Sequence, residues 1–136
     1  MSLDSPDVTP LDPWRAEVRK VEKPWGYELI WALTGTYCGK VLFIKAGQAL
    51  SLQFHREKEE SWLVQSGRAT LELGEEGHGT LVQSVIEAGS AFHYVPGTVH
   101  RVTAIEDTTI LEVSTPHLDD VVRLEDAYGR AGTSAP

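Results

Sequence analysis

The stretch GQALSLQFHREKEESWLVQSG, residues 47–67, decides how the chain is read, because one pattern in it specifies both local structure and chemistry. Two apolar runs flank a charged segment, Arg56-Glu57-Lys58-Glu59, which is the signature of a strand, a loop and a second strand. Successive side chains in a strand leave opposite faces, so Gln53 and His55 point the same way. A strand beginning near Glu60 puts Trp62 and Val64 on the side of the carboxylate and turns Ser61 and Leu63 away. Adjacent charges of both signs place Glu57 and Glu59 on a solvated loop.

Working outward, the runs VLFIKAG, ALSLQFH, SWLVQSG, ATLELG, TLVQSVIEAG and TILEV fill the chain between Val41 and Val113. Several are rich in β-branched residues and end at glycine, which predicts an all-β sandwich or barrel. The best helical candidate, His117 to Asp126, opens on an Asp pair but is short, and is expected to be a closing turn at most. Pro96-Gly97-Thr98-Val99-His100 predicts a tight turn running into a strand headed by His100. Gln53, His55, Glu60 and His100 can therefore converge from separate strands. Two imidazoles, a carboxylate and an amide oxygen suit a borderline divalent ion.

The totals narrow the alternatives. A chain of 136 residues supports one core and hence one site. With 41% hydrophobic and 24% charged residues and no long apolar run, a membrane-spanning protein is excluded. No secretory leader is recognisable in Met1 to Pro10, so a cytoplasmic location is expected. A net charge of -8 disfavours nucleic acid and leaves small molecules as ligands. Cys38, the single cysteine, is expected to be a buried apolar side chain.

Gly47-x7-His55-x4-Glu60-x6-Gly67 resembles the first cupin motif, with Gln53 at its first histidine, and Gly89-x7-Gly97-x2-His100 resembles the second. A cupin-type double-stranded β-helix, or jelly-roll barrel, is what the resemblance implies. Pro24-Trp25-Gly26, Ser51-Leu52-Gln53, Glu60 with Trp62, His100-Arg101, Val122-Arg123-Leu124-Glu125-Asp126 and Tyr128-Gly129-Arg130 are similar to the cupin portion of type II mannose-6-phosphate isomerases. That resemblance implies metal ligands Gln53, His55, Glu60 and His100, a divalent ion that is often zinc, with manganese, iron, nickel or cobalt acceptable to the same ligands, and a homodimer. The domain is bounded at 21–130, between an N-terminal extension (1–20) and a tail (131–136), with Met1 to Pro13 and Ala131 to Pro136 expected as mobile. The family's nucleotidyltransferase domain does not fit in this length, so sugar-nucleotide synthesis is not expected of the chain.

Departures from the family pattern cluster at the expected barrel mouth: Arg56-Glu57-Lys58-Glu59 replaces a histidine-rich stretch, Ser61 replaces a histidine, and Lys23 replaces an arginine before Pro24. Added carboxylates there disfavour an anionic sugar phosphate. In the second motif, Val95 stands at the usual proline and Ala104 at the terminal asparagine.

His78, His93 and His117 lack a motif and are expected on loops or the surface. Trp62 is expected in the core, although its parity with Glu60 also lets it face a sugar ring. Arg101 alternates with His100 and should point away from the metal. Lys40, Lys45 and Arg130 are phosphate-binding candidates, each expected to be exposed.

The leading expectation is aldose–ketose isomerisation of a sugar phosphate, with Glu112 as base and Lys40 as its charge partner. A sugar-binding or regulatory cupin without catalysis is the alternative, and an iron-dependent oxygenase ranks behind both.

Overall fold

The computed structural model describes residues 13–132. Among the described residues eleven strands follow one another: β1 Arg19–Lys23, β2 Gly26–Leu33, β3 Cys38–Ile44, β4 Leu52–Phe54, β5 Glu60–Ser66, β6 Arg68–Glu75, β7 Val82–Glu87, β8 Ala91–Tyr94, β9 Thr98–Ala104, β10 Thr108–Ser114 and β11 Val122–Glu125. They form a six-stranded sheet ordered β1-β2-β3-β10-β5-β8 and a five-stranded sheet ordered β11-β4-β9-β6-β7, paired antiparallel throughout. Among the described residues no helix is long and apolar enough to cross a membrane.

Two-residue periodicity explains the core. Glu60, Trp62 and Val64 are buried on β5, whereas Leu63 is exposed. Leu42 and Ile44 on β3, Ile110 on β10, Ala69 and Leu71 on β6, and Val102 and Ala104 on β9 complete one apolar cluster between the sheets. A slip of one residue would turn such a set outward, at about 1.5–3 kcal/mol for each large side chain, so burial fixes the register.

The segment His117–Asp126, expected to be a closing turn at most, contains a turn followed by β11, which pairs with β4 through Val122–Phe54 and Arg123–Gln53. The expected domain boundary at residue 21 falls inside β1, which pairs fully with β2 from Arg19 onward. The mobility expected of the ends concerns mainly residues 1–12 and 133–136, outside the described residues. Cys38 is buried, and the outer face of the larger sheet exposes Trp31, Leu63 and Val113.

Two of the crossings between the sheets lie side by side: from the larger to the smaller at Gly67, between β5 and β6, and from the smaller to the larger between β9 and β10. Gly67 has φ +94°, and a Cβ there would lie 2.3 Å from the Asp107 carbonyl oxygen. Thr108 donates its hydroxyl hydrogen near the Arg68 and Glu106 carbonyls, 3.1 and 2.9 Å away, tying the two corners together. Gly67→Ala should therefore lower stability by roughly 1–3 kcal/mol through strain and overpacking, read as a lower denaturant midpoint with an unchanged slope.

Candidate metal centre

β4 is three residues long and ends immediately before His55, so the histidine's orientation must come from outside its own strand. Asp120 provides it. Its carboxylate accepts the backbone N–H groups of Arg56 (3.0 Å), Glu57 (2.6 Å) and Lys58 (2.8 Å), and its carbonyl oxygen accepts the His55 Nδ1 hydrogen. The three N–H donors outweigh the effect of burial and hold the Asp120 carboxyl below the usual range. His100 donates its Nδ1 hydrogen to the Thr98 carbonyl at 3.0 Å. A carbonyl can only accept, so both imidazoles carry their proton on Nδ1 and present a bare Nε2 inward.

Those two nitrogens meet Glu60. His55 Nε2 lies 3.1 Å from Glu60 Oε2, and His100 Nε2 lies 3.7 Å from Oε1. The two Nε2 atoms are buried without a hydrogen-bond partner, and Glu60 Oε2, whose only close donor among the described residues is the Lys58 ammonium at 3.1 Å, offers them no hydrogen. Three converging electron-pair donors with no proton between them repel one another, and a cation removes the conflict. His55, Glu60 and His100 thus form a buried group able to hold a divalent metal. Burial lowers the His100 pKa against the opposing pull of Glu60, so the imidazole stays neutral, as ligation requires. Trp62 packs edge-on to the His100 ring and Tyr94 stacks on it, which explains why Trp62 is core.

Gln53 is the register partner of His100 across β4 and β9. Its Oε1 accepts the Ser51 hydroxyl hydrogen at 2.7 Å, leaving one lone pair, and the residue lines the same cavity as His55.

Lys58 is a neighbour that the charged loop concealed. Its ammonium is buried, 3.1 Å from Glu60 Oε2 and 3.2 Å from Glu112 Oε2. Burial alone would lower its pKa, but Glu112 and Glu60 together raise it above the ordinary lysine value. The same period of two that aligns Glu60 with Trp62 identifies Lys58 when extended backward, since 58, 60, 62 and 64 are all buried. Glu112 Oε1 accepts the Trp62 Nε1 hydrogen at 3.3 Å, so this carboxylate is engaged on both sides.

A cavity of about 760 Å³ opens from His55, Gln53 and Lys58. Lys23, Lys40, Arg123 and Arg130 line its wall together with Glu28. Lys40 and Arg130 were expected at the surface; instead Lys40 is buried, its ammonium 3.3 Å from Glu28 Oε2, and Arg130 is held bidentately by Asp126 at 3.0 Å. Desolvation lowers the Lys23 pKa despite Glu28, with Lys40, Arg130 and Arg123 adding to the fall. Arg123 is lowered for the same reasons, burial and then Arg130. Lys45, Glu57 and Glu59 are exposed, as are His78 and His93, whereas His117 is half-buried. Arg101 points away from the metal group and pairs with Glu72 at 2.8 Å.

Two facing antiparallel sheets enclosing a buried two-histidine, one-carboxylate group define a cupin. Solved structures share the fold: capsular polysaccharide assembling protein CapF from Staphylococcus aureus (TM-score 0.67, 16% identity, 83% of this chain and 34% of that one) and Lactobacillus farciminis oxalate decarboxylase (TM-score 0.65, 18% identity, 79% and 33%). The chain belongs to the family described as mannose-6-phosphate isomerase C-terminal, which matches residues 14–126. It is 37% identical over 119 residues to the xanthan biosynthesis protein XanB of Xanthomonas campestris pv. campestris, covering 82% of this chain and 24% of the relative. Against mannose-1-phosphate guanylyltransferase ManC of Salmonella typhimurium the identity is 34% over 119 residues, with 82% and 23% covered. The chain thus spans about a quarter of the length of these curated relatives.

Asp120→Ala should weaken binding of a divalent ion by about 10- to 100-fold while the sheets persist, because it frees the 56–58 loop that carries His55 into place. Titration of the variant against a chromophoric chelator measures the loss, and far-ultraviolet circular dichroism checks the fold.

Proposed function

We propose that the chain catalyses metal-dependent aldose–ketose isomerisation of a sugar phosphate, using His55, Glu60, His100 and Gln53 as metal ligands. The observation that carries this reading is one cavity that runs from His55 of the metal group and Gln53 to a wall bearing Lys23, Lys40, Arg123 and Arg130. A bound divalent ion, zinc for preference, would supply Lewis-acid stabilisation of the enediolate formed when a proton leaves the carbon beside the carbonyl.

The protein's own groups cover the remaining requirements. Burial first, and then neighbouring cations that include Arg130, lower the pKa values of Lys23 and Arg123, and a phosphate placed beside them offsets both effects. The carboxylates of the 56–59 loop, which argued against an anionic substrate, do not line this wall. Lys40 stands on the wall, where it can stabilise an oxyanion. Glu112 is held behind it by Trp62 and Lys58, so we assign proton transfer to Glu28, the largely buried carboxylate that lines the cavity beside Lys40. A cytoplasmic homodimer is part of the proposal; the exposed Trp31, Leu63 and Val113 on one sheet face support association.

Metal-loaded protein incubated with mannose 6-phosphate or fructose 6-phosphate in heavy water should interconvert the two and place solvent deuterium on the sugar. Glu28→Gln should lower both by about 10²-fold or more while metal content is kept. Absence of interconversion and of exchange by the parent protein rejects the isomerase; thermal stabilisation by the sugar phosphate without turnover would assign a binding role instead.

A further inference from the structure

Glu112 poses a problem that the isomerase reading leaves open. A second buried carboxylate lies one lysine side chain away from the metal group, and a negative charge there would draw a dication more tightly and blunt its Lewis acidity. Lys58 stands between the two carboxylates. Its ammonium touches Glu60 Oε2 at 3.1 Å and Glu112 Oε2 at 3.2 Å, and all three side chains are buried, where screening by water is weak. The remaining oxygen of Glu112 is fixed by Trp62, so the carboxylate is held in the arrangement that meets the lysine.

We propose that Lys58 is an internal counter-cation: it cancels the charge of Glu112, holds Glu60 through one oxygen, and thereby sets how tightly the centre holds its metal. Two carboxylates and one ammonium then present a dication with the net charge of a single carboxylate. Two effects of opposite sign are at stake. If Lys58 served only to position Glu60, its removal would weaken metal binding; because it acts as a counter-charge, its removal strengthens binding. Deleting the Glu112 charge has the reverse effect, since the ammonium then bears on Glu60 alone. The inference rests on the metal group but on no part of the isomerisation, and its test requires no turnover.

The experiment measures Zn(II) and Co(II) affinity of the whole chain by competition with a chromophoric chelator. Lys58→Met should bind either ion about tenfold or more tightly, Lys58→Arg should stay near the parent value, and Glu112→Gln should bind about tenfold more weakly. The double variant, Lys58→Met with Glu112→Gln, should return to within a few-fold of the parent and keeps the inference testable if Lys58→Met alone does not fold. Co(II) absorption bands should retain the parent's shape in Lys58→Arg and Glu112→Gln, showing the ligand set unchanged. Weaker binding in Lys58→Met, or an affinity in Glu112→Gln equal to the parent's, overturns the proposal; so does a double variant as weak as Glu112→Gln.

Discussion

Lone pairs that face one another in a dry interior are the constraint on which the site depends. The Nε2 atoms of His55 and His100 and an oxygen of Glu60 approach closely without a hydrogen between them, because each imidazole has already committed its proton to a backbone carbonyl. Without a metal ion the protein carries a local electrostatic penalty that the Lys58 ammonium relieves only at Glu60, and the surrounding barrel must hold the arrangement against it. It does so with rigid parts: Trp62 and Tyr94 press on the His100 ring, and a three-fold hydrogen-bonded loop carries His55.

Charge is distributed over the cavity in two zones. Near the metal group, anionic side chains are balanced by one buried lysine. Along the cavity wall cations outnumber carboxylates, and burial, reinforced by those like charges, pushes down the pKa values of Lys23 and Arg123. Such a wall is uncomfortable for the free protein and suited to an anionic ligand, which is how a polar cavity in a chain of net negative charge acquires selectivity. The acidic loop that seemed to oppose this lies outside the wall.

Much of the fold was legible because it follows from local periodicity. Alternation at 60, 62 and 64, and the turn leading into His100, place side chains by rules that need no knowledge of distant partners. What stayed hidden was whatever a remote segment decides. Lys58 sits among charges of both signs and looks solvated until Glu112, on another strand, is brought beside it. Asp120 looks like part of a closing turn until the 56–58 amides reach it. Lys40 and Arg130 become cavity residues only because Glu28 and Asp126 make their burial tolerable.

The Asp120 clamp also determines when the site exists. His55 and Asp120 are 65 residues apart, and β11, which follows the clamp, pairs with the short β4 at the margin of its sheet. During synthesis the barrel's main strands can emerge and collapse well before this late segment arrives, so competence for metal comes as a closing step in maturation. A marginal strand is equally the place where local opening starts, which makes fraying of a few residues sufficient to disarm the centre while the body of the protein stays folded.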